Sequence, residues 1–218
     1  MKAEMKFVST NARVPFCCQK CAECCRHVDD ALMLEPLDIY HLSKYLREQG
    51  ETVNGPEDVL ERYAHPAMLE GLPIFQINTV GDDHACVFLK DGSCSIYNAR
   101  PQVCRMYPFG TAPGSRGKDF SFYLCTERKH HFGVGAVRVK DWLSENLSKD
   151  TKEFYREEYE VLPLLGKALR AIGEERFRRL LFQLLYRLYY GYDLDKPFLP
   201  QYKDNMAALK ELLEQESG

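Results

Sequence analysis

A run of cysteines near the amino terminus constrains this 218-residue sequence more than any other feature. Five of the nine cysteines fall within nine positions, namely Cys17, Cys18, Cys21, Cys24 and Cys25. A chain of this length can bury an apolar core without disulfide cross-links. Clustered cysteines in a chain that needs no cross-links favour metal ligation over a disulfide framework.

The spacing inside the run indicates the kind of metal. Cys18, Cys21 and Cys24 are each separated by two residues, and Cys25 follows directly. Zinc sites usually take two Cys-x2-Cys pairs from separate segments, whereas this triple spacing is typical of iron–sulfur clusters. Adjacent cysteines point in different directions in a strand or a helix. Cys24 and Cys25 are therefore expected to serve two metals, two irons of one cluster, or one metal and one packing role. The same reasoning makes Cys17 the candidate that binds no metal.

The other four cysteines are spread along the chain, at Cys86, Cys94, Cys104 and Cys125. Asp91-Gly92 predicts a hairpin turn between the first two of them. A two-residue loop pairs Leu89 with Cys94 and puts Cys86 on the opposite face of the hairpin. A three-residue loop brings Cys86 and Cys94 to one face, so shared ligation needs the longer loop or a bulge.

Composition excludes several classes of protein. Lys and Arg number 29 against 32 Asp and Glu, a net charge of −3 that gives no electrostatic footprint for nucleic acid. No apolar run approaches the roughly 20 residues of a membrane span. The first residues also lack the apolar core of a secretion signal. We therefore expect a cytoplasmic protein, whose compartment keeps thiols reduced.

Four thiolates around a zinc ion, or around a [4Fe–4S] core in its 2+ state, leave a net charge of −2 that cations must offset. The arginines nearest to cysteines in sequence are the candidates for this role, with a solvated surface charge as the alternative: Arg26, Arg100 and Arg105. Histidine nitrogens are less needed as ligands, because the cysteines suffice, and we expect ordinary hydrogen-bonding roles for His27, His84, His130 and His131.

The periodicities predict an α+β, mainly helical fold, with a small β-hairpin and irregular cysteine-bearing loops around a metal centre. Helices are predicted at 35–49, 56–64, 140–147, 151–170, 174–190 and 203–215, with one helical turn inside 100–109. Strands are predicted at 74–80, 85–89, 95–97 and 120–125, and a loop at 110–118. The apolar stripe of 174–190 is expected to face the core, and its extra aromatic residues leave room for a protein partner. We expect a metal-binding domain at 1–145 and a helical extension at 146–218 packed on it, or one single domain.

At these positions the sequence resembles the bacterial CxxCxxCC cysteine-cluster family, also called YkgJ-like and described as a zinc- or iron-chelating domain. The matching stretches are Cys18-x2-Cys21-x2-Cys24-Cys25, Asp91-Gly92-Ser93-Cys94-x2-Tyr97, Arg100-Pro101-x2-Cys104-Arg105-x-Tyr107-Pro108-Phe109 and Cys125. The likeness extends through GVGAVRVKDWL at 133–143. It implies eight metal-ligating cysteines and leaves Cys17 outside them: Cys18, Cys21, Cys24, Cys25, Cys86, Cys94, Cys104 and Cys125.

Three functions follow as hypotheses. The first is a [4Fe–4S] protein for redox transfer, cofactor handling or a cluster-dependent modification. The second is a zinc-stabilised protein-interaction module with four-cysteine sites. The third rests on the resemblance alone: a relative, the flagellin lysine N-methylase, has a similar cysteine cluster with a [4Fe–4S] centre and uses S-adenosylmethionine. The sequence contains no clear S-adenosylmethionine motif, and it leaves the number of metal centres and the oligomeric state open.

Overall fold

The computed structural model describes residues 6–29, 31–114, 119–171 and 173–217. About half of the chain is helical and the strands form small antiparallel sheets, which confirms the predicted α+β, mainly helical class. The strands are β1 (Lys6–Val8), β2 (Arg13–Phe16), β3 (Met33–Leu34), β4 (Ala64–Leu69), β5 (Leu72–Ile77), β6 (Thr79–Val80), β7 (Ala85–Cys86), β8 (Leu89–Lys90), β9 (Ser93–Cys94), β10 (Phe109–Pro113), β11 (Phe120–Leu124) and β12 (Phe132–Arg138). The α-helices are α1 (Pro36–Glu48), α2 (Pro56–Tyr63), α3 (Gln102–Met106), α4 (Val139–Asn146), α5 (Lys149–Ala171), α6 (Gly173–Leu185) and α7 (Phe198–Ser217).

The described residues form two compact units, each built from two stretches of chain. The first unit takes the described residues of 6–29 and 79–156, and the second those of 31–78 and 157–217. The expected division at residues 145 and 146 stays a prediction.

The first unit consists mainly of short antiparallel pairings. Strand β11 pairs with both β1 and β10, β12 pairs with β2, and two small ladders join β6 to β7 and β8 to β9. Its apolar core includes Phe16, Met106 and Phe154, each almost completely buried. The chain thus brings its amino-terminal segment against residues more than 100 positions later.

The second unit consists mainly of helices, with one sheet of order β3-β5-β4. Helix α1 begins at Pro36, where a proline costs no hydrogen bond, and Glu35 and Asp38 form a capping box there. The helix ends before Gly50, whose φ of +90° suits glycine. A π-helical turn, Tyr186–Tyr190, follows α6. Leu180, Leu184 and Leu188 are buried along α6 and this turn, as the predicted apolar stripe requires.

Several local predictions need correction. The segment predicted as one strand at 85–89 is interrupted by a turn at 87–88. The predicted return strand at 95–97 is wrong, because β9 ends at Cys94 and a 3-10 helix forms at Tyr97–Ala99. The helical turn predicted inside 100–109 is α3, with Pro101 as its N-cap.

Two further corrections concern strands. The loop predicted at 110–118 contains most of β10, and its residues 115–118 lie outside the described residues. Composition indicated a loop there, but pairing with β11 makes the segment a strand. Strands β1, β2, β3, β4 and β12 were not predicted, since each depends on a paired strand that its own sequence does not specify.

Candidate metal centre

All nine cysteines belong to the first unit, and all nine are free thiols. Cys86 is buried and four others are half-buried, namely Cys25, Cys94, Cys104 and Cys125. The remaining four are exposed: Cys17, Cys18, Cys21 and Cys24. Since no sulfur is used in a disulfide, every one is chemically available as a ligand.

The cysteine-rich loop starts where β2 ends, at the buried Phe16. The Phe16 ring, only 2% exposed, contacts the rings of Tyr107, His131, Phe132 and Trp142 at centroid separations of 5.6–6.0 Å. Directly after it, the backbone N–H of Cys17 donates to the carbonyl oxygen of His131 at 3.0 Å. Phe16 therefore fixes the start of the loop against the segment that follows Cys125.

The loop then turns tightly through backbone conformations that side chains disfavour. Lys20, Ala22 and His27 have φ values of 52°, 61° and 53°, and such left-handed residues cost about 1–2 kcal/mol each. Ala22 caps a 3-10 helix, Glu23–Cys25, and its carbonyl oxygen accepts from the N–H of Cys25 at 2.8 Å. This turn sets the directions of the adjacent thiols of Cys24 and Cys25.

Contacts with the turn before β7 hold the loop in this shape. Arg26 forms an ion pair with Asp83. The N–H of His27 donates to the carbonyl oxygen of Asp83 at 2.8 Å, and the N–H of Val28 donates to that of His84 at 3.2 Å. The 3-10 helix is thereby anchored next to the segment that carries Cys86.

Five thiols from four chain segments interact electrostatically, and we call them the thiol cluster: Cys24, Cys25, Cys86, Cys94 and Cys104. The Sγ atoms of Cys24 and Cys25 are 4.0 Å apart. A hydrogen bond from Cys25, assisted by the positive charges of Arg100 and Arg128, lowers the pKa of Cys24 to about 6. The hydrogen bond to Cys24, burial, and the negative charges of Cys24, Cys104 and Cys86 raise the pKa of Cys25.

The two hairpin cysteines belong to the same network. Burial, with the charges of Cys94 and Cys24, raises the pKa of Cys86 to about 11. Burial, with the charge of Cys24, likewise raises the pKa of Cys94, while Arg100 opposes the rise. The hairpin has the two-residue Asp91-Gly92 loop, with Leu89 opposite Cys94. The turn at 87–88 separates β7 from β8, so the alternation of faces within one continuous strand does not extend from Cys94 to Cys86.

The arginine candidates have different surroundings. Arg100 lies near the sulfurs of Cys24 and Cys94, and its guanidinium also stacks over the Tyr97 ring, 3.7 Å from the centroid. Arg26 pairs with Asp83, and Arg105 donates to the carbonyl oxygen of Asn98 at 2.8 Å. Arg128, which was not among the sequence-based candidates, lowers the pKa of Cys24 and donates to the carbonyl oxygen of Arg26 at 2.7 Å. Its position three residues after Cys125 could have identified it as a cation near the cysteines.

Cys21 lies next to two histidines, an arrangement that the sequence did not favour. Its Sγ is 3.4 Å from Nε2 of His130 and 3.2 Å from Nε2 of His131. The hydroxyl of Tyr107 is 3.2 Å from Nδ1 of His131. Burial, with the positive charges of His130 and Arg128, lowers the pKa of His131 and so favours a neutral imidazole. We call these three residues the Cys21–His130–His131 group.

The remaining cysteines lie outside the couplings that define the thiol cluster. Cys17 directs its thiol toward the carbonyl oxygen of Cys18 at 3.9 Å. A Cβ added to Gly135, which has a φ of +75°, would lie 3.2 Å from Cβ of Cys17, so the glycine permits this close approach of β12. The charge of Cys125 contributes, after burial, to the raised pKa of Tyr107, to which Cys24 also contributes.

The family comparison agrees with this donor set. Residues 17–130, just over half of the chain, match the model of the CxxCxxCC family, a putative zinc- or iron-chelating domain. The chain belongs to the CxxCxxCC family. No curated protein and no solved structure matches it. The lysine methylase hypothesis and the protein partner stay predictions.

The donor chemistry of the first unit fits zinc or iron. Thiolates and imidazoles are the ligands that these metals prefer. The Sγ atoms of Cys24 and Cys25 lie 4.0 Å apart, and the positive charges of Arg100 and Arg128 lower the pKa of Cys24. The residues of this CxxCxxCC protein are therefore suited to hold a metal, as its family description states. Among the described residues, no helix has both the length and the apolarity needed to cross a membrane.

Proposed function

We propose that this CxxCxxCC protein holds one [4Fe–4S] cluster on four of the five sulfurs of the thiol cluster. The observation that carries the proposal is the electrostatic coupling of five thiols from four separate segments. A mononuclear site of four cysteines uses two close pairs, whereas a cubic cluster takes one thiolate on each of four irons and suits dispersed ligands. When bound, the cluster would supply one-electron chemistry.

The protein's own residues supply the charge balance. Four thiolates on a [4Fe–4S] core in its 2+ state leave a net charge of −2. Arg100 and Arg128 both stabilise the thiolate of Cys24, and Arg100 also stabilises that of Cys94. These two arginines are the side chains that would offset the charge and raise the reduction potential of the cluster.

Metal and sulfide analysis tests this proposal directly. Protein purified without oxygen should be brown and contain about four irons and four acid-labile sulfides per chain. Four of the five single Cys→Ala variants in the thiol cluster should lose the iron, and the fifth should keep it. Cys17→Ala is the matched control, since this exposed thiol lies outside the couplings, and it should keep full iron content. Colourless protein with stoichiometric zinc and no sulfide would eliminate the cluster.

A zinc-stabilised module with a four-cysteine site is the second candidate. Two thiolates on one tetrahedral zinc, with Zn–S bonds of about 2.3 Å, lie about 3.8 Å apart. The Sγ atoms of Cys24 and Cys25 are separated by 4.0 Å, close to that value, which supports one shared ion in place of the separate roles expected from the sequence. This function predicts one zinc per thiol cluster in oxygen-free preparations and equal zinc loss in Cys24→Ala and Cys25→Ala. Iron with sulfide in fresh protein would exclude it.

A further inference from the structure

We propose that Cys21, His130 and His131 form a second metal site, distinct from the thiol cluster, for a single zinc-type ion with one coordination position open to solvent. Among the described residues, this is the group whose potential ligand atoms, one from each residue, all lie within 4.8 Å of one another. A thiolate with two imidazoles is a ligand set for mononuclear zinc rather than for a cubic iron–sulfur cluster.

The distances within the group agree with a tetrahedral ion. Zinc with a Zn–S bond of about 2.3 Å and a Zn–N bond of about 2.05 Å separates sulfur from nitrogen by about 3.6 Å. The observed separations from Cys21 Sγ are 3.4 Å to His130 Nε2 and 3.2 Å to His131 Nε2. Small outward movements of the exposed Cys21 and His130 side chains are enough to admit the ion.

The position of His131 is fixed independently of any metal. Its side chain is only 3% exposed, and its ring packs edge-on against Phe16 at 6.0 Å. Its carbonyl oxygen accepts from the N–H of Cys17, which ties the histidine segment to the loop that carries Cys21. With Nε2 directed at the metal, Nδ1–H donates to the hydroxyl of Tyr107 at 3.2 Å. Histidine ligands of metals are characteristically oriented by such a partner on the second nitrogen.

The remaining coordination position faces solvent. Cys21 and His130 are exposed, whereas His131 closes the site on its buried side. Three protein ligands with water in the fourth position are the arrangement of catalytic zinc sites, whereas structural sites use four protein ligands. The site would therefore take a small exogenous ligand, water or an anion, at the ion.

Zinc binding to the full chain without oxygen tests the proposal. Wild-type protein should take up one zinc beyond the content of the thiol cluster, and X-ray absorption at the zinc edge should show one sulfur and two imidazole nitrogens. His130→Ala and Cys21→Ala should each lose this zinc and keep the iron and sulfide content. His27→Asn is the matched control, because it removes another exposed histidine near the cysteines and asparagine tolerates its positive φ.

The Tyr107→Phe variant tests whether the Tyr107 hydroxyl orients His131 for the metal, as distinct from the packing of the Tyr107 ring. It keeps the ring beside Phe16 and removes only the hydroxyl, so zinc affinity should fall about 10- to 100-fold while iron content stays unchanged. Unchanged zinc stoichiometry and affinity in His130→Ala would overturn the proposal. Loss of iron and sulfide in Cys21→Ala would also overturn it, because Cys21 would then belong to the cluster. The loss of one zinc in His130→Ala is expected whether the thiol cluster itself holds iron or zinc.

Discussion

The two units of this protein achieve order by different means. The second unit has long helices whose apolar residues are fully buried, such as Leu42, Leu184 and Leu209. In the first unit, Cys86 and Cys94 lie on two-residue strands, and the loop that carries the first five cysteines turns tightly through left-handed backbone conformations. Short pairings of this kind bury little apolar surface, so they gain little of the free energy that orders a helix bundle. We therefore predict that metal ligation supplies the order that burial does not.

Metal removal should show the largest difference between the units. Structural metal sites contribute their binding free energy directly to folding, so a chelator should unfold the cysteine segments. Amides of the loop 17–27 and of strands β7 to β9 should then exchange rapidly with deuterium. Amides of α1 and α7 should stay protected. Exchange is measured by mass spectrometry without oxygen. Equal loss of protection in both units would contradict the inference that a metal orders the first unit only.

Truncation of one core residue in each unit sharpens the comparison. Phe16→Ala and Leu184→Ala should destabilise the protein by about 3–5 and about 2–5 kcal/mol, since both side chains are almost fully buried. Only Phe16→Ala should also lower the metal content, because Phe16 contacts Tyr107 and His131. Phe7→Ala is the control: this side chain is 63% exposed, and its loss should cost about 0.5 kcal/mol or less. Denaturant titration and metal analysis measure both effects.

The second unit should show a pH dependence that originates in one carboxyl group. Burial, reinforced by the negative charge of Asp38, raises the pKa of Glu158 from 4.5 to about 8. Between these values the unfolded chain releases the proton and the folded chain keeps it, so stability falls as pH rises. The slope should reach at most about 1.4 kcal/mol per pH unit and vanish above pH 8.

Glu158→Gln should remove this slope, because the amide cannot ionise. Glu160→Gln changes an exposed carboxylate on the same helix and should leave the slope intact. Denaturant titrations at a series of pH values between 4.5 and 8 measure it. If stability still falls with pH in Glu158→Gln, the pH dependence originates in another titratable group.

A surface ion pair of the second unit should have the smallest effect. Glu174 and Arg178, four residues apart on α6, approach to 2.5 Å, but both side chains are more than 70% exposed. Arg178→Ala should therefore cost about 0.5 kcal/mol or less, and added salt should reduce the difference. A loss above about 1 kcal/mol in thermal unfolding would show that this surface contributes to stability beyond the ion pair.

The helices were the most predictable part of the fold. Pro36 and Gly50 indicated the ends of α1, and the leucine spacing of α6 indicated its buried face. The short strands were predicted poorly, because a strand of two to four residues is defined by its partner. The four-residue β2 is a strand because β12 lies beside it, and neither sequence alone contains that information.

For the site, the sequence determined the chemistry: free thiols at metal-binding spacings, and a family whose description is metal chelation. Only the tertiary structure decided which side chains meet. In the structure, the pKa of Cys25 responds to Cys24, Cys86 and Cys104, and that of Cys24 to Arg128. Cys21 lies beside His130 and His131. Local sequence patterns do not specify these proximities, because they depend on contacts between residues far apart in the chain. Arg26 and Asp83 are separated by 57 residues, and Cys21 and His131 by 110.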